Sequence, residues 1–151
     1  MSELAEKGQA IKDKLIKAVD EDTNAFNDLM EAMRLPKATP EQKASREAAM
    51  EQGYKKAAAV PLQTAKACLE AMELSLTAAQ KGNANSASDA GVAALMARAG
   101  VEGAGLNVLI NLGDIKDRAF VEANKKEVAQ LKQRSEDLCR EILDAVSKNI
   151  K

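Results

Sequence analysis

One carboxylate stands in the middle of an otherwise aliphatic helical stripe. Leu4, Ile11, Leu15, Val19, Phe26, Met30 and Met33 recur at three-and-four spacing, the pattern of a helix face turned inward. Asp22 follows Val19 by three positions and precedes Phe26 by four, so helical geometry sets its carboxylate inside that stripe, while Asp20 and Glu21 project elsewhere. Burial among aliphatic groups disfavours the ionised form and can raise a carboxyl pKa by as much as ~3 to 5 units. A carboxyl group so placed serves as acid or base near neutral pH. The competing reading is a stripe-edge carboxylate that opens onto water or pairs with a base from another helix, and spacing alone leaves both open.

Asn107 and Asn111 form a second polar interruption, one turn apart within Gly105-Leu-Asn-Val-Leu-Ile-Asn-Leu112, and Asp89 falls near the same azimuth five turns earlier. Buried amides need partners. These are either helix-to-helix hydrogen bonds that fix register or contacts to a ligand. The Leu35-Pro-Lys-Ala-Thr-Pro40 stretch reads first as a helix connector, and its Lys37 is a second-order candidate for meeting an anionic ligand.

Composition restricts the chemistry. The chain has no His, which excludes Ser-His and Cys-His nucleophilic machinery and the commonest zinc arrangements. Acid-base work then rests on carboxylates, Lys or the lone Tyr54. Cys68 and Cys139 have no metal-ligand spacing and no signal-peptide pattern precedes them, so no metal site and a reducing, cytoplasmic setting are expected. The 22 basic and 23 acidic residues are interleaved and leave a net charge of −1, which argues against a nucleic-acid partner. Aromatic residues make up 2%, too few for stacking platforms, so aliphatic packing must carry the core.

Ala, Leu, Met, Lys, Glu and Gln dominate, and no stretch alternates apolar and polar residues as a strand would. Punctuation divides residues 1–151 into the four long helices of a single all-α, antiparallel bundle domain, with no segment expected to cross a membrane. The first runs from about Glu3 to Arg34 and stops before Leu35-Pro36. Thr39-Pro40-Glu41-Gln42 opens the second with a capping box, and that helix continues to about Lys81 with a kink expected near Pro61. Gly82-Asn83 supplies a left-handed C-cap residue. Asn85-Ser86 followed by Asp89 starts the third helix, which runs to about Asn111, and Asp114 or Asp117 starts the fourth. Phe120, Val128, Leu131, Leu138, Ile142 and Val146 make a bundle seam along the fourth. The third is thin nearly all round, from Ala90-Gly91 to Ala104-Gly105, so it belongs at the centre or at a self-association interface.

Val19-Asp-Glu-Asp-Thr-Asn-Ala-Phe26 and Met33-Arg-Leu-Pro-Lys-Ala-Thr-Pro-Glu41 resemble the formiminotetrahydrofolate cyclodeaminase family. Val60-Pro-Leu62, Gly82-Asn83, Ser88-Asp-Ala-Gly-Val92 and Asn107-Val-Leu-Ile-Asn-Leu112 continue the likeness in the same order, over about residues 10 to 150. The resemblance implies an all-helical, elongated homodimer and a tetrahydrofolate substrate, with 5-formiminotetrahydrofolate closing to 5,10-methenyltetrahydrofolate and releasing ammonia. It also implies no metal or organic cofactor, and a glutamate formimidoyltransferase domain or subunit as a possible partner. Asp22 lies in the motif that carries the family's proposed catalytic aspartate, with Asp89, Asn107, Asn111 and Lys37 as candidates for holding the substrate. Two alternatives accompany this reading: a methenyltetrahydrofolate cyclohydrolase on the same fold, and a silent helical module that only dimerises. Family members carry a further N-terminal segment rich in Gly, Ser and Ala that adds an apolar helix. This chain is expected to begin after it and to expose apolar surface, penalised at about 25 cal/mol per Å².

Overall fold

The computed structural model describes residues 2–150, which form four α-helices and two short 3-10 turns without a strand. Helix α1 spans Ser2–Arg34 and α2 spans Pro40–Lys81; α3 spans Ala87–Asn111 and α4 spans Arg118–Ser147. The expected capping box is present: Gln42 N–H donates to Thr39 Oγ1 at 3.2 Å, and the Gln42 side chain accepts from Thr39 N–H at 3.3 Å. Pro61 lies buried inside α2, which continues as one helix on both sides of it.

Two boundaries differ from expectation in detail, and a third is resolved between its two candidates. Gly82 closes α2 in an extended conformation, φ −82° and ψ −171°, because its N–H bonds Ala78 O at 2.8 Å without any left-handed residue. Asn83, not Ser86, is the side-chain cap of the next connection, accepting from Asn85 N–H at 3.0 Å. Of the two candidates for the start of α4, Asp117 is the cap, accepting from Phe120 N–H at 3.1 Å.

Short connections force the antiparallel order. Lys14 meets Glu70, and Lys56 meets Asp28, across α1 and α2. Lys132 meets Glu102 across α3 and α4. Helices α2, α3 and α4 enclose the core as two clusters, one around Met72, Ala94, Leu138 and Ile142, the other around Leu62, Val108, Ile115 and Val121. Helix α1 packs on α2 and hardly touches α3. Its inward face is Ala25, Leu29 and Ala32. Val19 and Phe26, expected inside, are 66% and 59% exposed. The physical reason is the partner surface: α2 presents Gly53, where a Cβ would come within 2.9 Å of the Leu29 side chain, so α1 rolls to seat Leu29 there.

Helix α3 is central on one side only. Its Ala and Gly face packs on α2 and α4, while Val92, Leu95, Met96, Leu106 and Ile110 are exposed, so the expected apolar surface is present. Ala84–Asp114 is also long and apolar enough, by length and composition alone, to cross a membrane. The reason is its run of Ala, Gly, Val and Leu, whose small members are spent on helix contacts within the bundle.

The α3–α4 connection is tied to α2 by charge. Glu51 accepts from Lys116 N–H at 2.9 Å and Asp117 N–H at 3.1 Å, and Lys55 Nζ lies 2.7 Å from Asp117 Oδ2. The Lys55 ammonium and the Phe120 N–H hold the Asp117 carboxyl below the ordinary aspartate range, and the two backbone donors lower Glu51 likewise. Depressed folded-state pKa values mean that this stabilisation is complete above the unfolded values near pH 4 and is lost as pH falls through the folded ones. Thermal unfolding followed from about pH 6 to 2.5 should show Tm falling below about pH 4, with Asp117→Asn flattening that part of the profile.

Candidate functional site

Because α1 and α3 both rest on α2 and barely meet, an open groove runs between them. Its volume is about 440 Å³. Helix α2 forms the floor with Val60, Pro61 and Thr64; α1 contributes Leu15, Ala18, Val19, Asp22 and Thr23. From α3 come Gly100, Gly103, Ala104 and Asn107. A space of this size, mostly apolar with a few polar groups, suits a small organic ligand.

Asp22 is therefore on the groove wall, four residues after Ala18 and three before buried Ala25. The sheltered interior expected for it is not what the single chain provides: Asp22 is exposed, because the side opposite α2 is open. It lacks the ion pair of the competing reading as well. The lysines around it are committed elsewhere, Lys17 to Glu21 at 3.2 Å, Lys14 to Glu70 at 3.7 Å and Lys56 to Asp28 at 3.2 Å. Among the described residues the carboxylate has no cationic partner.

Asn107 shares the groove with Asp22, and the two are brought together from helices whose sequence positions are far apart. Asn111 does not line the groove. Its Nδ2 donates to Ala57 O at 3.1 Å and to Asn107 O at 2.9 Å, the helix-to-helix bond of the register reading. Asp89 shares the azimuth of Asn107 but lies roughly 27 Å away along α3, so this groove does not include it. Lys37 is exposed in the α1–α2 connection, also outside the groove.

Thr23, Thr64, Gly100 and Gly103 line the groove and carried no functional reading in the sequence. Both threonine hydroxyls donate within their own helices, to Val19 O at 3.0 Å and Val60 O at 3.2 Å, so toward a ligand they offer acceptor lone pairs only. The signal that could have found Gly103 is its place one turn before Asn107, on the same face.

Other concavities are less suited to chemistry. On the other flank of α1 a groove of about 300 Å³ carries Lys14, Lys17 and Glu21, all already paired. Tyr54 lies in a pocket of about 270 Å³ with Arg46, Glu47, Asp114 and Lys116, near the α3–α4 connection. Burial and the neighbouring Asp114 push its phenol up, away from a useful proton donor near neutrality. Among the described residues no group of His, Cys, Asp or Glu is arranged to hold a metal ion.

Residues 1–130 match the Formiminotransferase-cyclodeaminase family. A methenyltetrahydrofolate cyclohydrolase from Methylorubrum extorquens is 37% identical over 150 residues, covering 99% of this chain and 72% of that protein. The formimidoyltransferase-cyclodeaminase of Sus scrofa is 40% identical over 131 residues, 87% of this chain but 24% of that longer protein. A crystal structure of formiminotetrahydrofolate cyclodeaminase from Thermotoga maritima superposes with a TM-score of 0.79 at 24% identity, covering 93% of this chain and 66% of that one. The chain belongs to the formiminotransferase-cyclodeaminase family, whose relatives here are folate-processing enzymes.

The groove can be closed without disturbing the core. A Cβ at Gly103 would meet nothing within 4 Å, whereas one at Gly100 would come within 2.6 Å of Cys68 Sγ. Gly103→Leu should therefore keep the native circular dichroism spectrum and a Tm no lower than the wild type, since leaving Gly in a helix interior is itself worth about 0.5–1 kcal/mol. Gly100→Leu should unfold at a clearly lower temperature.

Proposed function

We propose that the groove between α1 and α3 takes the one-carbon end of a tetrahydrofolate and that Asp22 relays a proton as 5-formiminotetrahydrofolate closes to 5,10-methenyltetrahydrofolate and ammonia. The observation that carries this reading is the unpaired Asp22 carboxylate on the wall of a small-residue groove, with Asn107 across from it.

In the proposed sequence the formimino group enters in its protonated amidinium form, N10 attacks its carbon, and the N10–C bond forms as the carbon–nitrogen double bond becomes single. Asp22 accepts the N10 proton and returns it to the formimino nitrogen, whose bond to carbon then breaks to release ammonia. The product is a cation. An anionic Asp22 beside it stabilises the charge that develops in the transition state. The bound ligand itself displaces water from the carboxylate, strengthening that attraction. The Asn107 amide orients the ligand edge, and the reading requires neither metal nor organic cofactor.

A second reading is favoured by a different observation. Similarity to the cyclohydrolase extends over 99% of this chain, further than to the bifunctional enzymes. In that reaction water adds to the methenyl carbon, Asp22 takes one of its protons and returns it to N5 as the C–N5 bond opens, and the remaining hydroxyl proton is released to solvent as the formyl carbonyl forms. For either reaction we place a second copy of the chain on the exposed α3 face and a formimidoyltransferase as possible partner; the third possibility, a silent dimerising module, predicts turnover of neither substrate.

Ammonia release from 5-formiminotetrahydrofolate, against loss of 5,10-methenyltetrahydrofolate absorbance without ammonia, separates the two reactions. In whichever assay is active, Asp22→Asn should lower kcat by about 10²- to 10⁴-fold while Tm stays within a degree or two, the surface site having no partner to lose. Near-normal turnover of that variant rules out the relay.

A further inference from the structure

A proline inside a helix leaves the carbonyl four residues earlier without its donor. In α2 the proline is Pro61, and the carbonyl belongs to Ala57, in a stretch where Ala57 is 8% and Ala58 0% exposed. A buried carbonyl there needs another donor. Asn111 Nδ2 provides one at 3.1 Å, from a different helix. The second N–H of the same amide goes to Asn107 O at 2.9 Å, so both donors are used.

The partner is not arbitrary. Asn149 makes the same paired contact, to Ala145 O one turn back at 3.1 Å and to Ala79 O of α2 at 3.5 Å. Ala79 lies in the last turn of α2, where carbonyls also lack a helical donor. By contrast Asn124 bonds Phe120 O of its own helix, at 2.8 Å, and among the described residues reaches no carbonyl of another helix.

Pro61 is on the floor of the groove and Asn107 on its α3 wall. We infer that Asn111 is a positioning residue: it supplies α2 with the hydrogen bond that Pro61 deletes and thereby fixes Asn107 in register against Asp22 across the groove. The inference takes its functional meaning from the proposed folate site, but its geometry stands independently of any substrate. Pro61 and Asn111 act as one device, a missing donor in one helix matched by a spare donor in the next.

The test is a cycle of the wild type, Asn111→Ala, Pro61→Ala and the double variant, each followed by thermal unfolding and by the 15N side-chain amide resonance of Asn107. Alone, Asn111→Ala should lower Tm by roughly 3–8 °C. With alanine at position 61 the backbone donor is restored, and the same substitution should lower Tm by less than half as much. Equal losses in the two backgrounds overturn the hydrogen-bond replacement. The Asn107 resonance should move in Asn111→Ala and stay displaced in the double variant although stability is recovered, because the tie between the helices is gone. An Asn107 signal that never moves, or that returns with stability, overturns the positioning role. Asn111→Asp, the same shape without the donor, should displace that signal as Asn111→Ala does; an undisplaced signal counts against the inference. All readouts are taken without substrate, so a chain inactive on both folates would remove the proposed function and leave this result standing.

Discussion

Close approach of α3 to α2 is the contact on which the other features depend. With 2% aromatic residues the chain has no large side chains to bridge widely spaced helices, so its core forms only where backbones come near each other. Gly100 lies where even a methyl group would come within 2.6 Å of Cys68 Sγ. Further along, Asn111 reaches the Ala57 carbonyl directly. The glycines along α3 lower its intrinsic helix stability, and burial of Ala94, Val101 and Val108 against α2 and α4 compensates.

That arrangement makes α2 a common platform. Helix α4 completes a three-helix core on it, and α1 occupies the remaining side, seated by Leu29 at Gly53. Two helices resting on one support and barely meeting leave a channel, and its floor is the proline-bearing part of α2. The groove is therefore a consequence of packing rather than of a loop, which gives its polar groups rigid attachments. Asp22 and Asn107 are held by separate helices, and their spacing is set by how each helix meets α2.

Family membership and site geometry bear on different questions. The match over residues 1–130 and the similarity to folate-processing relatives place the chain in its family, while the likeness to the Thermotoga maritima protein speaks to the fold. Cyclodeaminase and cyclohydrolase chemistry share a carbon between two nitrogens, a cationic methenyl state and a need to move one proton. In the reading proposed above, one free carboxylate across the groove from an amide serves either reaction, and the choice between them lies in which nucleophile reaches that carbon. The exposed apolar residues of α3, Leu106 and Ile110 among them, continue beyond the groove wall and extend the apolar surface on that side.

Local chemistry written in the chain determined the helices themselves. Thr39 and Gln42 cap α2, Asp117 caps α4, and proline after Leu35 ends α1, because caps and breakers act over three or four residues and need no tertiary partner. The linked motifs around Asp22 and Asn107 likewise carried the family. Which way each helix is rolled was decided only by tertiary structure. Val19 and Phe26 are larger and more apolar than Ala18 and Ala25, yet the alanines face inward, since α2 offers a surface that only close contact can fill. Asp22 consequently lies at an inward azimuth but on the wall of an open groove, and Asn111 at a helix contact rather than on that groove. Periodicity marks a stripe relative to its own axis; the neighbour's shape determines whether that stripe meets a core, a groove or water.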